Sequence, residues 1–176
     1  MIVVKVGGSL FDHPLLVPAL RTYLDSLAPA DMLVVPGGGR VVDVVRKLDA
    51  IHSLGEESAH WLAIRGMDIA GELLRLALPC GSRLNVLDCL AFARDHDTLP
   101  HSWEVTSDSI AAHAAVVYGA ERLVLLKSID GDAGMSWEEV AACGWVDPHF
   151  PRIVAGATFP VEVVNFRRLM EASASV

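Results

Sequence analysis

Short, almost continuously apolar runs recur along the chain, and nearly every one leads through a turn into a helical pattern. "IVVKV" at 2–6, a β-branched run, "MLVV" at 32–35, "RLNVL" at 83–87, "RLVLLK" at 122–127 and "VEVVNF" at 161–166 read as strands. Runs of this kind are buried on both sides, as strands of a parallel sheet are. Between them the period changes to that of a helix. Pro14 opens one with Leu16, Leu20, Leu24 and Leu27 on a single face. Residues 40–55 repeat apolar side chains at Val41, Val44, Val45, Leu48 and Ile51 and stop at Gly55. Residues 56–78 continue the pattern through Ala59, Leu62, Ala63, Met67, Ala70, Leu74 and Ala77. A short helix is expected over 88–95, and a loop running into an extended piece over 99–105. Thr106 caps a helix from Ser107 to Tyr118, ended by Gly119. Another short helix covers 136–142, and the strand at 161–166 closes the fold. The alternation predicts one domain over residues 1–176, an α/β fold with an open, mostly parallel sheet and helices on both faces.

The totals narrow the partners. The chain has 176 residues, with 22 acids against 14 bases and a formal charge of -8. That balance argues against nucleic acid, which needs a basic field, but leaves room for a small anionic ligand held by a few local donors. No apolar run reaches the roughly 18 residues of a membrane span. The first strand begins at once, with no space for a signal peptide. Cys80, Cys89 and Cys143 show no CxxC spacing and read as core thiols of a reducing compartment. These features predict a cytoplasmic protein with no membrane partner.

In open parallel sheets ligands bind beyond the carboxyl ends of the strands. Three turns fall there: Gly7-Gly8-Ser9, Gly37-Gly38-Gly39, and the loop from Lys127 to Gly131. Glycines let the backbone approach a ligand and turn its N–H groups toward it, and each following helix adds partial positive charge. Either turn alone reads equally as a tight corner, and neither is a Walker A or GxGxxG pattern. Lys5, inside the first strand, is either a snorkelling edge-strand lysine or a point charge for a phosphoryl group in transfer. Asp108 lies in the first turn of its helix, where the dipole favours a carboxylate. From there it could also hold a lysine or help bind magnesium.

Taken in order, "KVGGSL", "VVPGGG", "TSDSIAAHAA", "LVLLKSIDG" and "VEVVN" resemble the amino acid kinase superfamily. The resemblance implies a three-layer αβα sandwich that binds ATP with Mg2+ and transfers a phosphoryl group to a small acceptor. It implies catalytic roles for Lys5, at the transferring phosphoryl group, and Asp108, organising the catalytic cations. Gly7, Gly8 and Ser9 would hold the ATP phosphates, and Lys127, Ser128, Asp130 and Gly131 would border the nucleotide. Gly37, Gly38 and Gly39 would line the acceptor site. The superfamily also implies a homo-oligomer.

The chain departs from the superfamily in its short length and in lacking a late glycine-rich lysine segment. After Lys127 the only lysine or arginine side chains are Arg152, Arg167 and Arg168. The short form, with "LPHSWEVTSDSIA" and "VDPHF", is most similar to the small branch that makes methanofuran, whose acceptor is [5-(aminomethyl)furan-3-yl]methyl phosphate. Two alternatives stand beside that phosphomonoester. One is an acceptor of the uridylate or isopentenyl phosphate type. The other is a noncatalytic nucleotide- or oxyanion-binding protein of the same fold.

A phosphorylated acceptor needs donors beside the glycine triplet. Arg40 offers a bidentate grip, and His60 lies on the next helix, as His52 ends the one before. Trp103 offers either a stacking surface for a flat ring or a core anchor next to His101. Asp68 and Glu72, one turn apart, offer either a seat for a primary amine or a solvated face. No residue is assigned as a metal ligand.

Overall fold

The computed structural model describes residues 1–131 and 134–173. Of the expected loop "SIDGDAG", Asp132 and Ala133 therefore lie outside the described residues. Five parallel strands, β1 (Ile2–Val6), β2 (Met32–Pro36), β3 (Leu84–Val86), β4 (Arg122–Lys127) and β5 (Val161–Asn165), form one sheet in the order β3-β2-β1-β4-β5. The β-branched runs lie at its centre: every residue of β1 and β2 is buried. Lys5 is thus on the central strand, in register with Val35 and Leu125, and the edge-strand reading of it fails.

Helices α1 (Leu16–Ser26) and α8 (Phe166–Ser173) cover one face, around Leu10, Leu20, Leu24, Phe166 and Met170. On the other face α5 (Ser107–Val117) lies against β1 and β4, with α4 (Cys89–Asp95) and α7 (Phe150–Val154) packed on it. The α2–α3 hairpin (Gly39–His52 and Glu56–Ala77) flanks β2 and β3, and α6 (Trp137–Ala142) packs on α7. This is a three-layer αβα sandwich.

Several expectations need correction. α1 begins at Leu16, with Pro14 in the preceding turn, because the chain first completes a 3₁₀ turn over Gly8–Leu10. α2 ends at His52, where Ser53 takes a left-handed conformation at φ 50. On α2 the buried residues are Val42 and Val45, whereas Val44, Leu48 and Ile51 are exposed, as is Leu62 on α3. Residues 99–105 are bends and turns with no strand, and the chain does not finish at β5 but runs directly into α8. Cys89 is buried, but Cys80 and Cys143 are exposed and are not core thiols. Among the described residues no helix is long and apolar enough to cross a membrane.

Candidate active site

The strand order reverses at β1: the chain leaves it for β2 on one side and returns to β4 on the other. A crevice opens at such a switch point. Both strands that flank it carry a lysine. Lys5 aligns with Leu125, and Lys127 follows two residues later, so alternation puts both lysines on the same face of the sheet. On that face the first turn of α5 delivers Asp108 between them. Lys127 Nζ donates to Asp108 Oδ2 at 2.7 Å. Lys5 Nζ lies 2.8 Å from Oδ1, an ion pair whose angle falls short of a well-directed hydrogen bond. Lys5 is 3% and Asp108 4% exposed, so water does little to screen the triad.

Burial alone would raise the Asp108 carboxyl, but the two ammonium groups outweigh it and hold it below the usual carboxylate range. Lys127 is pushed down to about 8, first by its own burial and then by repulsion from Lys5, with Asp108 pulling the other way. The triad is two cations around one anion and keeps a net positive charge at neutral pH. Each Asp108 oxygen faces one lysine ammonium group. Among the described residues no group of three or more His, Cys, Asp or Glu is placed to hold a metal ion. The cations that Asp108 organises are the two ammonium groups.

Asp147, which the sequence reading passed over, explains why α5 starts where it does. Its carboxylate accepts from Thr106 N and Oγ1, from Ser109 N and Oγ, and from the backbone N–H groups of His149 and Phe150, all within 3.2 Å. Thr106 Oγ1 also caps Asp108 N, at 3.5 Å. A buried carboxylate so well supplied with donors locks the helix terminus that carries Asp108. "VDPHF" is therefore a buttress 38 residues from Ser109 in sequence.

The two glycine turns meet backbone to backbone. A Cβ on Gly37 would lie 2.4 Å from Gly8 N, and one on Gly8 would lie 2.6 Å from Gly39 N. Gly39 has φ 54, a conformation that further favours glycine. No other residue lets these turns close on each other. Ser9 Oγ reaches Ser128 Oγ at 3.0 Å, joining the first turn to the loop after β4. Arg167 of α8 donates to Ser9 O at 3.1 Å and to Asp12 Oδ1 at 3.2 Å. Asp130 accepts from Asn165 Nδ2 and from Arg168, both at 3.1 Å.

Beside the joined turns lies a cavity of about 440 Å3, ordinary for a small-molecule site. Gly8, Ser9, Gly38, Gly39 and Arg40 form one end, and Ile64, Met67, Val105 and Ile110 an apolar wall. His60 and Trp103 also line it. Trp103 Nε1 donates to Asp49 at 2.9 Å, and the Arg46 guanidinium sits 4.8 Å over its ring. The tryptophan is thus both anchored and cavity-facing. Arg40 stands exposed at the rim, 3.5 Å from Asp12.

Of the predicted residues, Gly8, Ser9, Gly38, Gly39, Arg40, His60 and Trp103 border this cavity, with Gly7 and Gly37 beside them in the two turns. Asp68 and Glu72 do not join them. Asp68 accepts the N–H groups of Cys89 and Leu90 at the start of α4, and Glu72 pairs with Arg75. The carboxylates at the cavity are Asp12 and Asp43, whose isolated positions gave no pattern to read. A second cavity, of about 410 Å3, is lined by Gly131, Met135, Trp137, Val140, Trp145, Val161, Glu162 and Val163.

A three-layer αβα sandwich around a mostly parallel sheet is an amino acid kinase-like fold. The crystal structure of uridylate kinase from Archaeoglobus fulgidus matches it with a TM-score of 0.69 and 17% identity, over 99% of this chain and 96% of that one. UMP kinase from Bacillus anthracis gives 0.67 and 14%, over 99% of this chain and 92% of that one, and UMP kinase from Ureaplasma parvum gives 0.68 and 14%, over 96% and 90%. At such identities the likeness concerns fold alone. In sequence, the chain is 28% identical over 147 residues to [5-(aminomethyl)furan-3-yl]methyl phosphate kinase of Methanocaldococcus jannaschii, covering 74% of this chain and 67% of that protein. No protein-family model matches the chain.

Proposed function

We propose that this chain is an ATP-dependent phosphotransferase whose acceptor is a small phosphomonoester, [5-(aminomethyl)furan-3-yl]methyl phosphate, which it converts to a diphosphate. The observation that carries this reading is the buried Lys5–Asp108–Lys127 cluster at the carboxyl ends of β1 and β4, with Lys5 two residues before the first of two touching glycine turns. Two phosphate-bearing reactants brought together repel each other, and a positive, poorly hydrated site offsets that repulsion. The sequence likeness to the Methanocaldococcus jannaschii kinase supports the furan acceptor.

ATP lies with its phosphates along Gly7, Gly8 and Ser9, bordered by Lys127, Ser128, Asp130 and Gly131. Its base occupies the cavity beyond Gly131, beside Trp137 and Trp145. The acceptor lies in the 440 Å3 cavity with its phosphate toward Gly37, Gly38, Gly39 and Arg40 and its ring near Trp103 and His60. Asp12, which pairs with Arg40 and Arg167, and Asp43, which pairs with Arg46, are the carboxylates at hand for a primary amine. A monoester phosphate is largely dianionic near neutral pH, so its oxygen attacks the γ-phosphorus without a general base. As the new P–O bond forms, the bond from the γ-phosphorus to the bridging oxygen breaks, and ADP leaves with that electron pair. Lys5 meets the phosphoryl group in flight. Magnesium, which the resemblance implies, would travel with the ATP phosphates and offset their charge.

ADP release measured with the furan phosphomonoester, UMP and isopentenyl phosphate tests the reading. Turnover is expected with the first. Turnover only with one of the others reassigns the acceptor, and ATP binding without ADP release on any of them overturns the enzymatic reading.

Lys127 adds a pH dependence. In the free protein its ammonium discharges near pH 8, so kcat/KM is expected to fall as pH rises through about 8. In Lys127→Arg the charge persists and the alkaline fall moves upward. For stability the sign is opposite. The unfolded lysine, at 10.5, binds more protons than the folded one between about 8 and 10.5, so this group's penalty shrinks across that window. An alkaline limb unmoved in the arginine variant would exclude Lys127 as its source.

A further inference from the structure

At the wall of the acceptor cavity His60 belongs to a cluster of ionisable and aromatic side chains whose other members take no part in the transfer step. His101, in the loop after α4, has both ring nitrogens engaged by carboxylates: Nδ1 with Glu57 Oε2 at 2.5 Å and Nε2 with Asp97 Oδ1 at 2.6 Å. A carboxylate only accepts, so both nitrogens donate and the ring is an imidazolium. Glu57 is held in turn by Trp61 Nε1 at 2.7 Å, and the Trp61 ring stands edge-on to both histidines. The His101 ring lies nearly parallel to that of His60, 18° from coplanar, with centroids 4.5 Å apart. His60 is 8% exposed, lines the acceptor cavity, and has no hydrogen-bond partner among the described residues. A cavity-facing imidazole with no protein partner is open to hydrogen bonding with whatever fills the cavity.

We propose that His101 is a fixed cation that keeps His60 uncharged, so that the acceptor meets one N–H donor and one lone pair at this wall rather than an additional positive charge. Two parallel imidazolium rings 4.5 Å apart repel strongly, and the doubly paired ring keeps its proton at the expense of the unpaired one. Other groups around His60 do not reverse this. From its own helix comes Glu57, and from the 96–101 segment Asp97, both already engaged by His101. His96 of that segment and His113 of α5 share a separate, much smaller cavity with His60. Asp12, Arg40, Asp43 and Arg46 line the main cavity with charges of both signs. Burial, followed by the His101 charge, pushes His60 down to about 4, and the two carboxylates only partly oppose this. His101 itself is raised by its bonds to Glu57 and Asp97.

The consequence is selectivity. A charged wall would hold any phosphate or sulfate more tightly at low pH. A neutral imidazole with an open lone pair instead discriminates by hydrogen-bond geometry and accepts a proton-bearing group of the acceptor, such as an ammonium or hydroxyl. His101 acts through His60 and is a positioning residue. The inference rests on the acceptor reading of the cavity, but the charge coupling itself can be measured without any substrate.

The test is an NMR titration of histidine ring resonances in the full chain from pH 4 to 8, with His60 assigned by its loss in His60→Asn. In the parent protein His60 is expected to stay neutral at every pH above about 5 and His101 to hold its proton to higher pH than a free imidazole does. His101→Phe keeps a stacked ring without charge and is expected to raise the His60 midpoint by about one unit or more. Should that variant fold poorly, His101→Gln, which also removes the charge but leaves Glu57 and Asp97 in place, is expected to move His60 the same way. A parent His60 titrating between pH 6 and 7, or one unmoved in the variants that fold, overturns the proposal. Adding [5-(aminomethyl)furan-3-yl]methyl phosphate should shift the parent His60 resonances. Coupling without that shift removes His60 from acceptor binding and leaves its charge control standing.

Discussion

Lys5→Met is expected to lower kcat by about 10²- to 10³-fold, the usual loss when a preorganised donor aimed at developing charge is removed. Methionine keeps the stem that fills the central strand, so the sheet should survive, with a thermal midpoint within a few degrees of the parent. Asp108 remains paired with Lys127 at 2.7 Å, and α5 remains fixed by Asp147, so the remaining site keeps its geometry. ATP binding measured by calorimetry should weaken much less than turnover, because the glycine turns and Lys127 still meet the nucleotide. That split between binding and rate marks a group whose contact strengthens in the transition state. A variant retaining a fifth or more of the parent rate would remove Lys5 from the chemistry.

The layered architecture was legible because burial on both faces leaves a plain trace: the runs at 2–6, 32–35 and 122–127 are almost continuously apolar, and all three are strands. What sequence did not disclose was rotation and termination. On α2, Val41, Val42, Val44 and Val45 give two overlapping apolar stripes, and only packing against α3 decides that Val42 and Val45 go inside. α8 went unseen because Phe166 continues the apolar run of β5 with no capping residue between them. α7, five residues long with Pro151 in its first turn, is too short to show a period.

The candidate site divides in the same way. Lys5, Asp108 and Lys127 stood out because a charge in an apolar run, in a helix's first turn or at a strand end is locally anomalous. Asp147 and Asp12 are not: nothing in "VDPHF" or "SLFDHP" shows that one locks a helix far along the chain and the other links Arg40 to Arg167. Asp68 and Glu72 had the spacing of a site, but Asp68 is consumed by a second helix terminus, a tertiary contact invisible in spacing.

Asp108→Asn should be the more damaging change. It removes the one anion separating two buried ammonium groups, each within 2.8 Å of it. Breaking a buried pair by deleting one partner typically costs about 3–5 kcal/mol, because the remaining charge is stranded. For a domain of this size that amounts to roughly a 10 °C fall in thermal midpoint. The amide still offers an oxygen, so the loss comes mainly from charge rather than shape. Lys127 should yield first. Asp108 was the main group holding its proton against burial and Lys5, so without the carboxylate it titrates below its present value of about 8. Turnover should fall at least about 100-fold, since neither lysine is then held toward the phosphates. The pH dependence separates this account from simple misfolding. Above about pH 8 Lys127 is uncharged in parent and variant alike, so their difference in unfolding free energy should narrow as pH rises from 6.5 to 9. Urea titrations at those two values measure it. A gap that stays constant would mean that the carboxylate acts by packing alone, and that the lysines are not the partners whose charge it balances.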